Sequence, residues 1–418
     1  MPKWEVLYEK YKRSRFIYAK DLSLILFGFA ALHLVITIFS VNVPSQLLER
    51  SRFPWAIVIF SLFEYVFLVH LTRFVGYVLE VTRSAIGRWT PYLFLFGISS
   101  ALLFPLTAVS VVPELTIRKV LYLILFNLSI FGYSLSLAGL ASDKMNLNNE
   151  KAKLLLSISA FLGVFAGLVT SVLGFGSSKD VLVIGAIFLL TSAIAVAFFV
   201  VEDKRFKIKL SPTEKLDIYH KYFGKERKAL WPDVKLHKEV ARFSLVFSFF
   251  LIQEFYTPYV WHLNDISRAM AFISITANFL FFILFYYLSK KWEFYQAVRP
   301  TQFPIFVSVL MVISYFFFIE RAVVPLFLTL ALASSLLGLY CQKAGLQFLP
   351  TRAERFTFYL SWIESENRVE TTKKIAAVFL VTTITSVLLS ILSETYMYLL
   401  LSILSLSITI IDISKRVI

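Results

Sequence analysis

The chain has 418 residues, a net charge of +15 and a mean hydropathy of +0.73, and only 17% of its residues are charged. An ordinary soluble protein is excluded, because 58% of the residues are hydrophobic and apolar runs of about twenty residues recur from end to end. The basic residues are dispersed over short segments, which argues against a nucleic-acid partner. The single cysteine, Cys341, excludes a disulfide within the chain and a metal site built on cysteines.

Twelve apolar runs are each long enough to cross a hydrocarbon core of about 30 Å as a helix. Because the alternation typical of a β-barrel is absent, the sequence predicts an all-α membrane protein. Residues 1–20 lack the short apolar core of a signal peptide, so we expect the first span to be retained. The predicted spans are residues 21–43, 53–75, 91–113, 119–141, 153–173, 181–201, 243–263, 266–289, 302–320, 322–342, 375–393 and 395–414.

Lysine and arginine predict the orientation of these spans. If the N-terminus is cytoplasmic, the great majority of the 42 Lys and Arg residues fall on the cytoplasmic side. A miscounted helix would mix the two sets, so this separation supports twelve transmembrane helices with both termini in the cytoplasm. The predicted location is the cell membrane, where the lipid bilayer and its anionic headgroups are partners of the chain.

The longest polar segment, residues 202–242, has six predicted spans on either side. We therefore predict a six-helix bundle over residues 1–201, a basic cytoplasmic linker, and a second six-helix bundle over residues 243–418. The major facilitator superfamily has this layout, with two bundles that rock about a central substrate site. Other twelve-helix carriers, such as polysaccharide-lipid flippases, are alternative assignments.

Part of this linker, around residues 215–228, fits two alternatives. It is either a solvated segment or an amphipathic helix on the inner membrane surface. In the second alternative the side chains predicted to face lipid are Leu216, Tyr219, Tyr222 and Phe223.

The loop between the second and third spans reads GYVLEVTRSAIGRWTPY over residues 76–92. It resembles, in register and without a gap, the pattern G-x-x-x-D-x-T-R-[ST]-R-x-G-[RK]-F-[RK]-P-[YW] of the glycoside-pentoside-hexuronide:cation symporters, a major facilitator family. Ala85 and Thr90 replace basic residues of that pattern. The resemblance implies a gating loop whose charges latch the two bundles in one state, and the alternative is a loop anchored only by its positive charges. The latch charges are Glu80, Arg83 and Arg88.

Glu80 is expected to pair with Arg83, with Arg88 or with a basic residue of another cytoplasmic loop. A second resemblance lies after the fourth span, where Tyr133, Asp143 and Gly163 hold positions that match the same family. It adds Asp143 to the gating residues. The resemblance covers roughly residues 60–175 and fades in the C-terminal half.

The carboxylates that bind the cation in coupled members of that family are missing here. Counted back from Gly76, their positions on the second helix hold Leu68 and Thr72, and Arg73 replaces the proline that follows. A sodium ion needs several hard oxygen ligands, so sodium coupling is not expected, and neither is any bound metal or cofactor. Arg73, near the inner surface, is counted among the gating residues.

Ionisable residues inside predicted spans are the candidates for coupling to protons. Glu64 lies near the middle of the second span and shares a face with Leu68 and Thr72 at four-residue spacing. His33 of the first span is a neighbour that would share the proton. The alternative is that Glu64 and His33 bond to one another or to backbone between packed helices.

Polar and aromatic residues on the helices that line the cavity of major facilitators are the candidates for substrate binding. Amide and carboxyl groups beside an aromatic plate suit a sugar, whereas a lining rich in the chain's 43 Phe residues would favour an amphipathic cargo. The substrate candidates are Asn127, Tyr133, Gln253, Glu254, Tyr256 and Asn278.

The sequence therefore predicts a transporter and not an enzyme, since it holds no G-x-S-x-G, H-E-x-x-H or P-loop motif and its five His are scattered. We expect a monomer that moves a small organic solute, such as a sugar or glycoside, by alternating access with proton coupling. The alternatives are a flippase or exporter of a lipid-linked or amphipathic compound, and a non-transporting scaffold of the same fold.

Overall fold

The computed structural model describes residues 18–39, 72–84, 86–107, 117–145, 150–172, 178–200, 202 and 210–223, with isolated positions between 280 and 332. The continuous ranges are helical apart from short turns. Their helices are α1 (Tyr18–Phe39), α2 (Thr72–Val81), α3 (Thr90–Leu103), α4 (Ile117–Lys144), α5 (Glu150–Val172), α6 (Ser178–Phe199) and α7 (Pro212–Phe223).

Four of the described helices are long and apolar enough to cross a membrane. They are Tyr18–Phe39, Thr90–Thr107, Leu121–Lys144 and Asp180–Phe199, and they match the first, third, fourth and sixth predicted spans. Helix α5, with 23 residues, covers the fifth. The chain is therefore a multi-pass helical membrane protein, whereas the count of twelve spans, the domain bounds and the side of the termini stay predictions.

The helix that contains the end of the second predicted span continues beyond it. We predicted a span over residues 53–75, and α2 runs on to Val81 before the backbone turns. The earlier part of that span, and the predicted spans after residue 223, lie outside the described residues except for isolated positions. The turn to α3 therefore comes well after the apolar run ends. As a result Glu80, which was predicted to lie in the loop, is part of α2.

Helix α3 packs between α4 and α6 and positions the loop that precedes it. Pro91 lies in its first turn, where a missing backbone N–H costs nothing. The α-helix ends at Leu103, and a 3-10 turn over Phe104–Thr107 follows, because Pro105 has no N–H to continue the helical bonds. The buried core of this half is formed mainly by α1, α3, α4 and α6.

Helix α5 approaches α1 closely enough to touch its backbone. The contacts recur every four residues on both helices, which is the spacing of one helical ridge. Ser159 donates a hydrogen bond to the Leu26 carbonyl, Gly163 lies against the Ala30 carbonyl, and Gly167 lies against the Leu34 carbonyl. A Cβ atom at Gly163 would overlap the Ala30 carbonyl oxygen, so this approach requires glycine.

The linker contains a helix, as the amphipathic alternative predicted, and its described residues, Pro212–Phe223, begin three residues before the predicted range. Its start is set by a capping box: the Ser211 backbone N–H donates to Glu214 at 2.7 Å, and the Glu214 N–H donates to the Ser211 hydroxyl at 3.3 Å. The first of these bonds lowers the pKa of Glu214. Helix α7 packs on α2.

Candidate gating site at residues 80–92

The loop between α2 and α3 is closed by hydrogen bonds. Ser84 and Gly87 exchange backbone N–H···O bonds of 3.2 Å in both directions, and the Ser84 hydroxyl donates to the Gly87 carbonyl at 2.7 Å. Gly87 has a φ of 137°, which side-chain-bearing residues rarely adopt. The hydroxyls of Thr82 and Tyr92 lie 2.5 Å apart and join the two ends of the loop. The loop therefore has one defined shape.

Glu202, three residues beyond the end of α6, binds the N-terminus of α3. Its carboxylate accepts hydrogen bonds from three backbone N–H groups that a helix start leaves without intrahelical partners. These donors are Arg88 at 2.7 Å, Trp89 at 2.8 Å and Thr90 at 2.7 Å, and the Thr90 hydroxyl adds a fourth bond at 2.7 Å. Glu202 is buried, so its negative charge is stabilised by these donors and by the positive end of the helix dipole.

The position of the Glu202 carboxylate requires a residue without a side chain at position 87. A Cβ atom at Gly87 would lie 2.5 Å from the carboxyl carbon of Glu202, so only glycine leaves room for the carboxylate. Our sequence analysis missed Glu202. The only sequence signal for it was indirect, because a glycine turn that opens a helix can bind an anion such as a carboxylate. The sequence does not say which acidic residue that partner is.

Arg88 and Asp143 form an ion pair between the start of α3 and the end of α4. Nη2 of Arg88 lies 2.9 Å from each carboxylate oxygen of Asp143. Trp89 donates its indole N–H to the same carboxylate at 2.7 Å, and the Arg88 guanidinium lies 4.4 Å from the centre of the Trp89 ring. A partly buried, charge-assisted pair of this kind is stronger than an exposed one.

Glu80 and Arg83 are held by a different set of contacts. The guanidinium of Arg83 donates to the backbone carbonyls of Glu80 at 2.6 Å and Thr82 at 3.1 Å. Burial, followed by the nearby charge of Arg88, lowers the pKa of Arg83, and surrounding carboxylates act in the opposite direction. Tyr222 of α7 donates its hydroxyl to the Glu80 carboxylate at 2.5 Å. Arg83 thus lies among the other charged residues of the loop, and its bonds to the two carbonyls stabilise the end of α2.

Tyr222 corrects one of our predictions. In the amphipathic alternative its side chain was predicted to face lipid, but it is 1% exposed and bound to Glu80. Tyr222 therefore lies on the inner side of the helix, where its hydroxyl binds the Glu80 carboxylate.

The predicted gating residues Glu80, Arg83, Arg88 and Asp143 do come together. We predicted a latch between the two bundles, whereas the contacts found among the described residues join elements that precede residue 224. These elements are α2, α3, α4, the end of α6 and α7. We call the set Glu80, Arg83, Arg88, Asp143, Glu202 and Tyr222 the polar cluster.

The predicted coupling and substrate residues that the structure describes lie away from the polar cluster. Nδ1 of His33 lies 2.7 Å from the Phe29 carbonyl, one turn earlier on α1. Asn127 donates its amide to the Leu123 carbonyl of its own helix at 2.8 Å. Tyr133 is fully buried, with its hydroxyl 3.3 Å from that of Ser192 on α6. The structure thus brings Tyr133 into a contact between α4 and α6, and its role in substrate binding stays a prediction.

Several predicted residues cannot be placed from the structure. Arg73 lies in the first turn of α2, where only the backbone is described. Outside the described residues are Glu64, Gln253, Glu254, Tyr256 and Asn278.

Comparison of the chain with known proteins gives a clear result for the fold. No protein-family model matches the chain, and no curated protein matches its sequence. A mutant of the nucleoside transporter NupG superposes with a TM-score of 0.63 at 11% identity, covering 94% of this chain and 99% of its own. A mutant of the peptide transporter POT gives 0.60 at 11% identity, covering 95% and 94%.

A third structure, the xylose transporter XylE from E. coli in a partially occluded inward-open conformation, gives a TM-score of 0.52 at 14% identity. It covers 94% of this chain and 97% of its own. The chain therefore shares the fold of these transporter structures. At these identities the likeness concerns the fold, so the glycoside-pentoside-hexuronide assignment stays a prediction.

Proposed function

We propose that the chain is a secondary active transporter that moves a small organic solute across the cell membrane by alternating access. The observation that carries this proposal is the likeness of fold over 94% of the chain to solved transporters of nucleosides and xylose, and over 95% to one of peptides. Because these transporters carry different solutes, the shared fold does not indicate which solute this chain binds. A sugar or glycoside is our first candidate, on the sequence resemblance of residues 76–92.

The polar cluster is proposed to be part of the gate. It collects three carboxylates and two guanidinium groups where α2, α3, α4, α6 and α7 meet, and its bonds are strong only while these elements keep their present arrangement. Alternating access changes how helix ends pack on the gated side. Because α3 and α4 both belong to the first predicted bundle, the Arg88–Asp143 pair is proposed to hold the shape of the 80–92 loop on the gated side and not to bridge the two bundles.

We expect Arg88→Gln and Asp143→Asn to be coupled. Each variant leaves a partly buried charge without its partner, and the double variant removes both charges. The coupling free energy should be about 1–3 kcal/mol, measured as the non-additivity of thermal unfolding shifts in a double-mutant cycle. The variants should also change the labelling rate of single cysteines on the gated side.

The matched control is the ion pair of Asp21 and Lys144, which joins α1 to α4 with an N···O distance of 3.1 Å. Breaking that pair should lower stability without changing the cysteine labelling rates. If the Arg88 and Asp143 effects on stability add, or if both pairs change labelling equally, the pair is not a gate contact.

Proton coupling is proposed to depend on Glu64, with His33 as its neighbour. Proteoliposomes with an inward proton gradient are expected to accumulate the solute, and Glu64→Gln should reduce accumulation to the equilibrium level while solute exchange continues. Exchange needs no net proton movement, which separates loss of coupling from loss of binding. Glu214→Gln, at an exposed site on α7, is the control. Full accumulation by the Glu64 variant would refute this role.

The solute for that assay can be found by thermal shift. Purified protein is heated with sugars, nucleosides, peptides, drugs and lipids, at two pH values and with or without Na⁺. A ligand at a hundred times its Kd stabilises the folded state by about 2.7 kcal/mol. A lipid-linked compound as the best ligand would favour the flippase alternative, and absence of flux with every bound ligand would favour a scaffold.

A further inference from the structure

Helix α7 is fixed in rotation by an aromatic contact with α2. The ring of Tyr77 on α2 lies 5.8 Å from that of Tyr219, 6.2 Å from that of Tyr222 and 5.6 Å from that of Phe223, all in edge-on arrangements. The hydroxyl of Tyr222 is bound to Glu80. These contacts determine which side of α7 points away from the bundle.

An apolar strip remains uncovered beside this contact. Leu216 is 54% exposed and Tyr219 is 42% exposed, although both are large apolar side chains, and they lie one turn apart. The acidic residues Glu214 and Asp217 lie roughly 100–140° further round the helix from this strip, since each residue advances about 100°. Helix α7 therefore has an apolar side and an acidic side that point in different directions.

The strip continues the apolar surface of α2. Phe74, one turn before Tyr77, is 60% exposed near the end of the second predicted span. Phe74, Tyr77, Tyr219 and Leu216 therefore form one surface that leads onto α7 from α2, which contains the end of the second predicted span. On a spanning helix such a surface faces lipid, and tyrosine is enriched where the acyl region meets the headgroups.

We propose that α7 is an interfacial helix seated on the membrane surface, with Leu216 and Tyr219 in the boundary between acyl chains and headgroups. Its partner is the lipid of the leaflet nearest the 80–92 loop. Three features of the chain carry this: the exposed strip, its continuity with Phe74 of α2, and the acidic side turned elsewhere. Tyr222, which is also on α7, donates its hydroxyl to Glu80 of α2. An α7 seated on the membrane therefore holds one end of the polar cluster at the level of the headgroups.

The test is the depth of spin labels in the full chain. The native Cys341 is replaced by Ser, and single cysteines are introduced as Leu216→Cys, Tyr219→Cys, Thr213→Cys or Asp217→Cys. The labelled proteins are placed in nanodiscs of phosphatidylcholine and phosphatidylglycerol. Collision with oxygen, which concentrates in the acyl region, is compared with collision with a water-soluble nickel chelate.

We expect labels at 216 and 219 to collide preferentially with oxygen, at a depth of about 5–10 Å, the range of interfacial helices. Labels at 213 and 217 are expected to collide preferentially with the nickel chelate. The proposal is overturned if the label at 216 or 219 behaves like that at 217. It is equally overturned if labels at 216 and 219 are shielded from both reagents, since a protein surface would then cover the strip. The measurement needs no transport, so its result is independent of the proposed function.

Discussion

Gly163→Val is expected to prevent normal packing of α5 on α1 and to lower the yield of folded protein severely. A Cβ at this position would overlap the Ala30 carbonyl oxygen and lie 2.8 Å from its carbonyl carbon, and these atoms are backbone and cannot rotate away. The helices must therefore separate, which weakens the Ser159 bond to Leu26 one turn below. Overpacking of this kind costs about 1–3 kcal/mol even where side chains can adjust, so we expect at least the upper end here.

Monodisperse protein after detergent extraction, and its apparent melting temperature, measure this effect. Gly163→Ala should show the same defect in milder form, because the methyl group alone makes the clash. Leu162→Val is the matched control, since Leu162 neighbours Gly163 on the same helix but is exposed. A stable, well-folded Gly163→Val protein would show that α5 and α1 do not approach as closely as described.

Glu202→Ala is expected to destabilise the start of α3 by about 3–5 kcal/mol. The carboxylate accepts bonds from three backbone N–H groups and one hydroxyl, and a buried donor left without an acceptor costs about 1–3 kcal/mol. These costs are not additive, because water would enter the vacated site. Glu202→Gln should cost nearly as much, about 2–3 kcal/mol, since its amide group turns an N–H toward a donor and removes the charge that complements the helix dipole.

Thermal unfolding followed by tryptophan fluorescence is the measurement, because Trp89 lies at this site. Gly87→Ala provides an independent route to the same defect, as the added methyl would displace the carboxylate and strain a φ of 137°. Thr90→Val removes only the hydroxyl bond and should cost about 1 kcal/mol. If the Glu202 variants melt within the range of Thr90→Val, the carboxylate is not the main cap of α3.

These two sites show different relations between sequence and structure. Gly163 could be singled out from the sequence by resemblance, but the reason for the glycine, a contact with the Ala30 carbonyl, belongs to helix packing. Glu202 could not be singled out at all. It lies 112 residues from Thr90 in the chain, and no local pattern indicates a contact over that distance.

Arg88 and Asp143 lie between these cases. The sequence predicted both as gating residues, and it offered Arg88 as one of three possible partners of Glu80, beside Arg83 and a basic residue of another loop. The structure pairs Arg88 with Asp143, 55 residues further along the chain, while Tyr222 of the linker helix donates to Glu80. The sequence showed the charges of these residues and their positions in loops. Which of them pair depended on how close the start of α3 lies to the end of α4 in the folded chain.

The positions of the spanning helices that the structure describes were predicted from the sequence alone, for a simple reason. An apolar run of about twenty residues must satisfy all of its backbone hydrogen bonds in lipid, and a helix does so within the run itself. The start of α7 is likewise local, since Ser211 and Glu214 are only three residues apart. The tertiary structure decided which carboxylate binds the start of α3, which charges pair, and which side of α7 is buried. Each of these contacts joins segments that are distant in the chain, and only helix packing determines which of them meet.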